Sequence, residues 1–309
     1  MNTKNYLITG CAGFIGSHTA DVFIDHDCNV FGIDAITYAG NRSNINSSIK
    51  FFEGRIEDNA FIKSICIKEK IDVIINFAAE THVDNSIKNV IPFLKTNIEG
   101  VASVLDVCKD LCIPLIHIST DEVYGPCKEF QFDENKALNP KNPYAASKAA
   151  ADHLIDAYSN TYGIKYLICR PTNNFGERQY KEKFIPSIIS SLKDNKKIKI
   201  YGNGTQQREW LHVDITAKAI YYLTIRELWN NQIINIGKGQ EATNKELVEM
   251  ICKITNINFY DSVEFIKDRP GHDARYSIDC TKLKNLGFDQ KQDRLYNTLE
   301  DLLKKENII

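Results

Sequence analysis

Short apolar segments alternate with amphipathic segments through the first half of the chain. The apolar segments are rich in β-branched residues and predict strands over Tyr6–Thr9, Asn29–Ile33, Lys50–Glu53, Asp72–Asn76, Pro114–Ser119 and Lys165–Arg170. The segments between them predict helices over Ser17–Asp25, Asn59–Glu69, Phe93–Leu111 and Tyr144–Tyr162. Strands that are apolar on both faces belong to a parallel sheet covered by helices on both sides. The alternation, with right-handed crossovers, therefore predicts a doubly wound α/β fold.

The pattern changes after Pro171, where turn residues, isolated aromatic residues and lysines become frequent. Ile198–Tyr201 predicts a short strand, and helices are predicted over Ile215–Leu228, Asn244–Lys253 and Leu295–Ile309. We therefore expect a larger N-terminal domain over residues 1–172, to which a segment near residues 210–240 returns. A smaller C-terminal α/β domain is expected over residues 173–309.

The composition allows a full core but gives little attraction for large anions. Of the 309 residues, 43% are hydrophobic and 25% are charged, which excludes a disordered chain. The formal net charge is −2, so no basic field holds a nucleic acid or an anionic membrane surface. No apolar run is long enough to cross a membrane, and Met1 leads into a strand rather than a cleavable leader. We expect a cytoplasmic protein.

The nine cysteines are expected to be free thiols. They include no CxxC pair, and no histidine and cysteine have the spacing of a zinc finger. An odd number of cysteines in a cytoplasmic chain is typical of reduced thiols that pack as small apolar residues. The sequence therefore predicts neither a disulfide framework nor a metal site.

A glycine-rich turn joins the first predicted strand to the first predicted helix. Gly10, Gly13 and Gly16 follow Tyr6–Thr9 in the order that a dinucleotide site requires. There the first glycine permits a tight turn, the second lets the backbone approach a pyrophosphate, and the third lets the helix pack closely against the strand. A glycine triplet alone is a weak signal. Its place between a strand and a helix predicts a Rossmann-type dinucleotide site.

Asp34 ends the second predicted strand, 18 residues after Gly16. A carboxylate at this position accepts hydrogen bonds from the hydroxyls of the adenine ribose and repels a 2′-phosphate. The alternative is an aspartate that caps a turn and binds no ligand. With the glycine turn upstream, Asp34 predicts NAD rather than NADP as the cofactor.

Tyr144 and Lys148 open a predicted helix, and their spacing of four places them on one helical face. A nearby ammonium lowers the pKa of a phenol. A phenolate beside a nicotinamide can take a hydroxyl proton while hydride leaves the same carbon. Such a pair has no meaning on an ordinary helix, but downstream of the glycine turn it predicts a catalytic acid–base pair.

These residues give the chain a resemblance to a known family. It resembles the extended short-chain dehydrogenases/reductases and, within that group, is similar to the dTDP-glucose 4,6-dehydratases. The matching segments, in the family's order between residues 9 and 279, are TGCAGFIGS, DAITYAGN, AAETHVDNSI, ISTDEVYG, NPYAASKAAADH, RPTNNFGERQYKEKFIP, IYGNGTQQREWLHV, INIGKGQEATN and DRPGHDARYSID. The resemblance implies a homodimer that binds NAD and a nucleotide-diphosphate hexose, with dTDP-glucose as the expected substrate.

The resemblance implies a reaction in three stages. NAD⁺ oxidises the sugar at C4, water is lost across C5 and C6, and hydride returns to C6 to give a 4-keto-6-deoxy sugar. Tyr144 with Lys148 is then the base at the C4 hydroxyl, and Thr120 binds the C4 oxygen. Glu122 is the base at C5, and Asp121 is the acid for the departing C6 hydroxyl. Asp121 must be protonated at neutral pH, which burial beside Glu122 favours.

Other functions stay open at this point. The substrate can instead be UDP-glucose or another nucleotide-diphosphate hexose. A nucleotide-sugar 4-epimerase of the same fold is a further alternative, but it needs no base at C5 and typically lacks an Asp-Glu pair. A solvated loop or a helix cap explains Asp121 and Glu122 without catalysis. A non-enzymatic scaffold that binds NAD has no need for the complete polar set.

The resemblance also implies which residues bind each ligand. The expected cofactor residues are Gly10, Gly13, Phe14, Ile15, Gly16, Asp34, Thr37, Ile56, Ala78, Ala79, Thr96, Tyr144, Lys148 and Asn174. The expected substrate residues are Thr81, Thr120 and Asn173 at the hexose or its phosphate, and Lys183, Phe184, Tyr201, Arg208, Asn244, Arg269 and His272 at the nucleoside diphosphate.

Two positions near the cofactor site depart from the family's pattern. Cys11 stands where the family usually has glycine, and Arg55 stands where it usually has an aspartate that contacts adenine. A cysteine is tolerable if it adopts the turn. Either Arg55 stacks on the adenine face, or Asp58 replaces the lost contact.

Overall fold

The computed structural model describes residues 4–127, 129–237, 239–268, 273–289 and 293–309. Its strands are β1 Asn5–Thr9, β2 Asn29–Asp34, β3 Lys50–Glu53, β4 Val73–Asn76, β5 Leu115–Ile118, β6 Tyr166–Pro171, β7 Asn173–Phe175, β8 Ile198–Tyr201, β9 Gln207–His212, β10 Asn230–Ile236, β11 Gln240–Thr243 and β12 Val263–Ile266. Its α-helices are α1 Phe14–Asp25, α2 Asn59–Lys68, α3 Val83–Lys88, α4 Ile91–Leu94, α5 Val101–Leu111, α6 Pro143–Tyr162, α7 Phe184–Lys193, α8 Val213–Ile225, α9 Asn244–Ile254, α10 Phe259–Ser262, α11 Thr281–Asn285 and α12 Leu295–Lys305.

Seven strands form one parallel sheet in the order β10-β6-β5-β4-β1-β2-β3. The order reverses at β1, because β2 and β3 extend the sheet on one side and β4, β5 and β6 on the other. Ligands of such sheets bind at this reversal, outside the carboxyl ends of the strands. The doubly wound fold expected from the sequence is confirmed.

Alternate residues of the central strands pack into two apolar layers, one on each face of the sheet. Leu7 of β1 and Ile74 of β4 face α2, α5 and α6. Their neighbours Ile8 and Ile75 face α1 and α8. Both faces are therefore buried, which explains why these strands are apolar along their whole length.

The helix expected over Phe93–Leu111 contains a π-helical turn at Lys95–Gly100, between α4 and α5. Asn97 is fully buried in this turn. Its carboxamide bonds to both the amide and the carbonyl of Glu80 and donates to the Ser147 hydroxyl at 2.9 Å. The wider turn thus directs one polar side chain to tie the loop after β4 to α6. A periodicity of 3.6 residues does not reveal such a turn.

Part of the C-terminal half joins the large sheet. Helix α8 packs against α1, and β10 pairs with β6. The remaining strands form two small sheets, β11-β9-β7 and β12-β8, around a third apolar cluster. The domain division at residue 172 stays a proposal.

All nine cysteines are free in the structure, and six of them are buried. Across the described residues, no helix is both long enough and apolar enough to cross a membrane.

Candidate active site

The turn after β1 has the shape that its three glycines allow. Gly10 has a φ of +70°, and a side chain there would lie 2.7 Å from the amide nitrogen of Ala78. A side chain at Gly16 would lie 2.3 Å from the Gly10 carbonyl oxygen, so α1 passes the turn too closely for a larger residue. At Gly13, which precedes α1, the nearest atom would be the same oxygen at 3.1 Å, and no side chain caps the helix. The first amides of α1 therefore lie at the wall of a cavity with room beside Gly13.

Asp34 lies at the end of β2, on the same cavity. Its two oxygens accept hydrogen bonds from the amides of Ala12 at 2.9 Å and Ile36 at 2.8 Å. These bonds fix the carboxylate, and each oxygen keeps a further lone pair for a ligand. Burial raises the pKa of Asp34.

The structure favours Arg55 over Asp58 as the residue nearest to a ligand. Arg55 is exposed and lines the cavity. Asp58 instead caps α2, where its Oδ1 accepts a hydrogen bond from the Phe61 amide at 3.0 Å. The carboxylate of Asp58 is thus already committed to the helix.

Cys11 fits the turn without backbone strain. It is fully buried, and within the described part of the chain it is not among the non-glycine residues with positive φ. Its sulfur would lie 2.6 Å from a side chain at position 32, so Gly32 of β2 leaves the room that Cys11 fills.

Three polar residues meet directly after β5. Thr120 caps a 3₁₀ helix at Asp121–Tyr124, and its hydroxyl accepts from the Glu122 amide and donates to Asp121 Oδ1, both at 3.3 Å. The hydroxyl of Thr172 donates to the other Asp121 oxygen at 3.1 Å. The Asn142 amide donates to Glu122 Oε2 at 3.0 Å. The two carboxyl groups therefore stand side by side, each with its own partners.

The surroundings of Asp121 favour its protonated form. Burial, and then the neighbouring Glu122, raise the pKa of Asp121 to about 7, while the Thr172 hydroxyl acts in the opposite direction. With a pKa of about 7, a substantial fraction of Asp121 keeps its proton at neutral pH, as a general acid must.

The surroundings of Tyr144 are different from those expected. Burial, and then Glu122, raise the pKa of the phenol well above its usual value, while its hydrogen bond with Thr120 acts in the opposite direction. The Lys148 nitrogen turns instead to β5, where it donates to the Ile118 carbonyl at 2.6 Å and lies 3.2 Å from His117 Nε2. The lowering of the Tyr144 pKa that is expected from Lys148 is therefore outweighed in this structure by burial and by Glu122.

One cavity of about 300 Å³ brings most of the expected site residues together. It is lined by Gly10, Gly13, Phe14, Ile15, Gly16, Asp34, Thr37, Ile56, Ala78, Ala79, Thr81, Thr96, Thr120, Asp121, Glu122, Tyr144, Lys148, Asn173, Asn174 and Lys183. The glycine turn and the carboxyl pair thus open into a single space.

Four expected substrate residues lie outside the lining of this cavity. Phe184 stacks on Trp210, and the Tyr201 hydroxyl bonds to Asp84 at 3.5 Å. Arg208 donates to the carbonyls of Gln207 and Asp273, and the backbone amide of Asn244, at the start of α9, donates to Gln206. Arg269 and His272 are outside the described residues.

Sequence reasoning missed several polar residues around the site. Asn142 holds α6 through its Oδ1, which accepts from the Ala145 amide, and holds Glu122 through its amide. The Asn-Pro pair at residues 142–143 is a helix-start signal that could have identified it. Asp152, one turn beyond Lys148, is buried with Arg170 in an ion pair at 3.0 Å. No local signal marks that pair, because its members lie on α6 and β6.

Residues 7–301 match the model of a protein family described as GDP-mannose 4,6 dehydratase. The chain belongs to this family. Among curated members of known sequence, the low-salt glycan biosynthesis protein Agl12 of Haloferax volcanii is 41% identical to it over 290 residues, with 92% of each chain covered. The dTDP-glucose 4,6-dehydratase of Haemophilus influenzae is 40% identical over 308 residues, with 90% of each chain covered.

Solved structures agree with this assignment. The dTDP-glucose 4,6-dehydratase DesIV of Streptomyces venezuelae, crystallised with NAD, has a TM-score of 0.93 and 35% identity, covering 97% of this chain and 96% of its own. A UDP-glucose 4-epimerase of Thermotoga maritima has a TM-score of 0.90 and 27% identity, covering 97% of each chain. The resemblance to an extended short-chain dehydrogenase/reductase, and to the dTDP-glucose 4,6-dehydratases within it, is confirmed.

Proposed function

We propose that this member of the dehydratase family is an NAD-dependent lyase that converts dTDP-glucose to dTDP-4-keto-6-deoxyglucose and water. The adjacent carboxyl groups of Asp121 and Glu122 carry the proposal, because they line the same cavity as the glycine turn and the Tyr144 phenol. Removal of water across C5 and C6 needs both an acid and a base. The dTDP-glucose 4,6-dehydratases among its relatives support the same reaction.

The cofactor end of the cavity fits NAD. Gly13 leaves room beside the first amides of α1, where a pyrophosphate has favourable electrostatics. Asp34 has lone pairs for the ribose hydroxyls and would repel a 2′-phosphate. When bound, NAD⁺ supplies a hydride acceptor, a positive charge and, once reduced, a hydride donor.

The first stage needs a base at the C4 hydroxyl of the sugar. Tyr144, as the phenolate, takes that proton, and the Thr120 hydroxyl bonds to the same oxygen. Burial opposes the phenolate, so Tyr144 depends on positive charge nearby, from Lys148 and from bound cofactor. The C4 ketone that results makes the C5 proton more acidic.

The second stage uses the carboxyl pair. Glu122 takes the C5 proton, the bond between C6 and its oxygen breaks, and the proton of Asp121 leaves with that oxygen as water. Asp121 is suited to this role because its pKa is raised to about 7. In the last stage the proton on Glu122 returns to C5 as hydride is added at C6.

One assay tests this function against its alternatives. Purified protein is incubated in parallel with dTDP-glucose, UDP-glucose and GDP-mannose, and mass spectrometry follows the loss of one water. Water loss from dTDP-glucose alone is the expected result. Preference for another nucleotide would overturn the choice of substrate. A 4-epimer without water loss, which the epimerase neighbour makes the main alternative, would overturn the dehydratase.

We further propose a cytoplasmic homodimer. Free, mostly buried thiols suit a reducing compartment. Ile91 and Leu94 of α4 are 62% and 39% exposed, at the start of the helical segment that continues into α5. Apolar residues on this face support a helix bundle formed with α6 across a twofold axis.

A further inference from the structure

A row of buried polar side chains crosses the sheet beneath the site. Thr9 of β1 is in register with Asn76 of β4, and Asn76 is in register with His117 of β5. These residues and Lys148 of α6 are each no more than 2% exposed. The other residues of β4 and β5 are all valine, isoleucine or leucine. Polar groups at such positions are costly unless they are fully paired.

Hydrogen bonds join the row from end to end. The Thr9 hydroxyl donates to Asn76 Oδ1 at 2.5 Å, and Asn76 Nδ2 lies 3.1 Å from His117 Nδ1. His117 Nε2 lies 3.2 Å from the Lys148 nitrogen, which donates to the Ile118 carbonyl. The row therefore connects the strand before the glycine turn to Lys148.

The direction of the hydrogen bonds in this row decides whether His117 Nε2 donates to Lys148 or accepts from it. Burial and Lys148 lower the pKa of His117 well below its usual value, so the imidazole is neutral and has one N–H. When the Asn76 amide donates to Nδ1, that N–H is on Nε2 and faces a neutral lysine amine. In the opposite order, Nδ1 donates to the Asn76 oxygen, and Nε2 accepts from a lysine ammonium.

Every member of the row can take part in either order. A hydroxyl can donate or accept, a carboxamide has both functions, and an imidazole can have its proton on either nitrogen. An apolar residue in place of His117 would leave a buried ammonium without this acceptor. Since hydrogen bonds from charged donors are about twice as strong as neutral ones, the ammonium would lose more than the amine.

We propose that His117, held by Asn76 and Thr9, is a positioning residue that allows Lys148 to keep its proton beside Tyr144. The inference rests on the proposed function in so far as Tyr144 and Lys148 are the acid–base pair of that reaction. It goes further, because it assigns a role to residues that touch neither cofactor nor substrate.

Other charged and polar groups around Lys148 also affect whether its amine is protonated. Asp152, on α6, raises the pKa of Lys148, but burial is stronger and lowers it to about 8. Arg170 of β6 and the Ser119 hydroxyl pair with Asp152 and hold it in place. Tyr144 shares the helix with Lys148, and the carboxyl groups at residues 121 and 122 face the phenol.

The experiment titrates Lys148 directly, without substrate. Protein labelled with ¹³C at the lysine Cε carbons is followed by NMR from neutral to alkaline pH, and Lys148→Met assigns the signal. In His117→Leu we expect the midpoint of Lys148 to fall by about one pH unit from its value of about 8. Turnover at pH 8 should then be about fivefold lower, with KM little changed. His117→Gln, whose amide can donate or accept, restores most of the midpoint.

A second variant is expected to move the titration midpoint of Lys148 in the opposite direction. Asn76→Asp keeps the side-chain volume but presents only acceptors, so the imidazole must have its proton on Nδ1 and accept at Nε2. The midpoint of Lys148 then rises, and this variant keeps the test available if His117→Leu does not fold. Unchanged midpoints together with a lowered melting temperature would overturn the proposal and leave a structural role only. Because the titration needs no sugar, it tests His117 even where the turnover assay rejects the proposed function.

Discussion

At the scale of single residues, the site depends on the different surroundings of two neighbouring carboxyl groups. Asp121 is 3% exposed and bonded to two hydroxyl groups, whereas Glu122 is partly exposed and bonded to the Asn142 amide. Burial makes the first group an acid near neutral pH. The second is the base that we propose, so one turn of 3₁₀ helix can supply both functions.

The first residue-scale prediction separates oxidation from elimination. Glu122→Gln removes the proposed base at C5 but keeps the side-chain shape, so water loss should fall at least about 100-fold. Oxidation at C4, which does not need Glu122, should continue and give a 4-keto sugar that still has its C6 hydroxyl. Mass spectrometry of quenched reactions measures both species. Glu264→Gln, at an exposed position of β12, is the matched control and should change neither.

The second residue-scale prediction concerns pH. The pKa of Asp121 is about 7 in the fold, above the value of about 4 in an unfolded chain, so the folded protein keeps a proton that the unfolded chain releases. Asp121 therefore stabilises the fold less as pH rises from about 4 to about 7.

Asp121→Asn removes this loss of stability at higher pH, since the amide does not ionise. Its melting temperature should exceed that of the native protein by about 2 °C or more at pH 8, and by less at pH 5. Water loss from the sugar should nevertheless fall at least about 100-fold. Equal melting temperatures at pH 8 would contradict the raised pKa of Asp121.

Which residues share the cavity could largely be predicted from the sequence, because glycine spacing and helix spacing are local patterns. The raised pKa of Tyr144 could not be predicted, since it depends on burial and on Glu122, which lies on another element. The same holds for Asn76 and His117. His117 interrupts an apolar strand and Asn76 ends one, and only the register between strands shows that they are partners.

At the scale of elements, the glycine turn combines two functions that can be separated. Gly16 is needed for packing, since a side chain there would lie 2.3 Å from a carbonyl oxygen. Gly13 has an ordinary φ of −78°, and its nearest contact of 3.1 Å would require the Gly10 carbonyl oxygen to shift only slightly, so packing requires glycine there less strictly than at Gly16. The fold therefore depends on glycine at position 16, whereas access of a ligand to the amides of α1 depends on glycine at position 13.

A pair of alanine variants tests this division. Gly16→Ala should lower the melting temperature strongly, because backbone must move to admit the methyl group. Gly13→Ala should change the melting temperature little but weaken NAD binding, measured by calorimetry, by about tenfold or more, since its methyl group occupies the space of the pyrophosphate. If Gly13→Ala bound NAD normally, the cofactor would have to lie elsewhere.

The π-helical turn shows where element prediction from sequence reaches its limit. The apolar pattern predicted a helix over Phe93–Leu111, and helix is present there. Within the turn at Lys95–Gly100, Asn97 pairs with Glu80 of the loop after β4 and with Ser147 of α6. These partners are distant in sequence, so a local pattern gives no sign of the turn.

At the scale of the whole molecule, the exposed apolar residues Ile91 and Leu94 of α4 support the proposed homodimer. Ile91→Glu places a charge on that face, where it has no effect on the apolar core of the subunit. We expect it to produce monomers in analytical ultracentrifugation, with a far-ultraviolet spectrum like that of the native protein. Lys181→Glu, a charge change at an exposed position far along the chain, is the control and should leave dimers intact. Dimers in both variants would exclude this face as the interface.

The position of β10 at the edge of the large sheet also affects how the chain is made. Strand β6 ends at Pro171, but its neighbour β10 ends only at Ile236. The ribosome must therefore add 65 further residues before β10 can pair with β6 and complete the sheet. During that time the edge of β6 offers unpaired amides and carbonyls to any other strand. Completion of this sheet is thus a late event of synthesis, and a nascent chain that pauses in this interval is the form most in need of a chaperone.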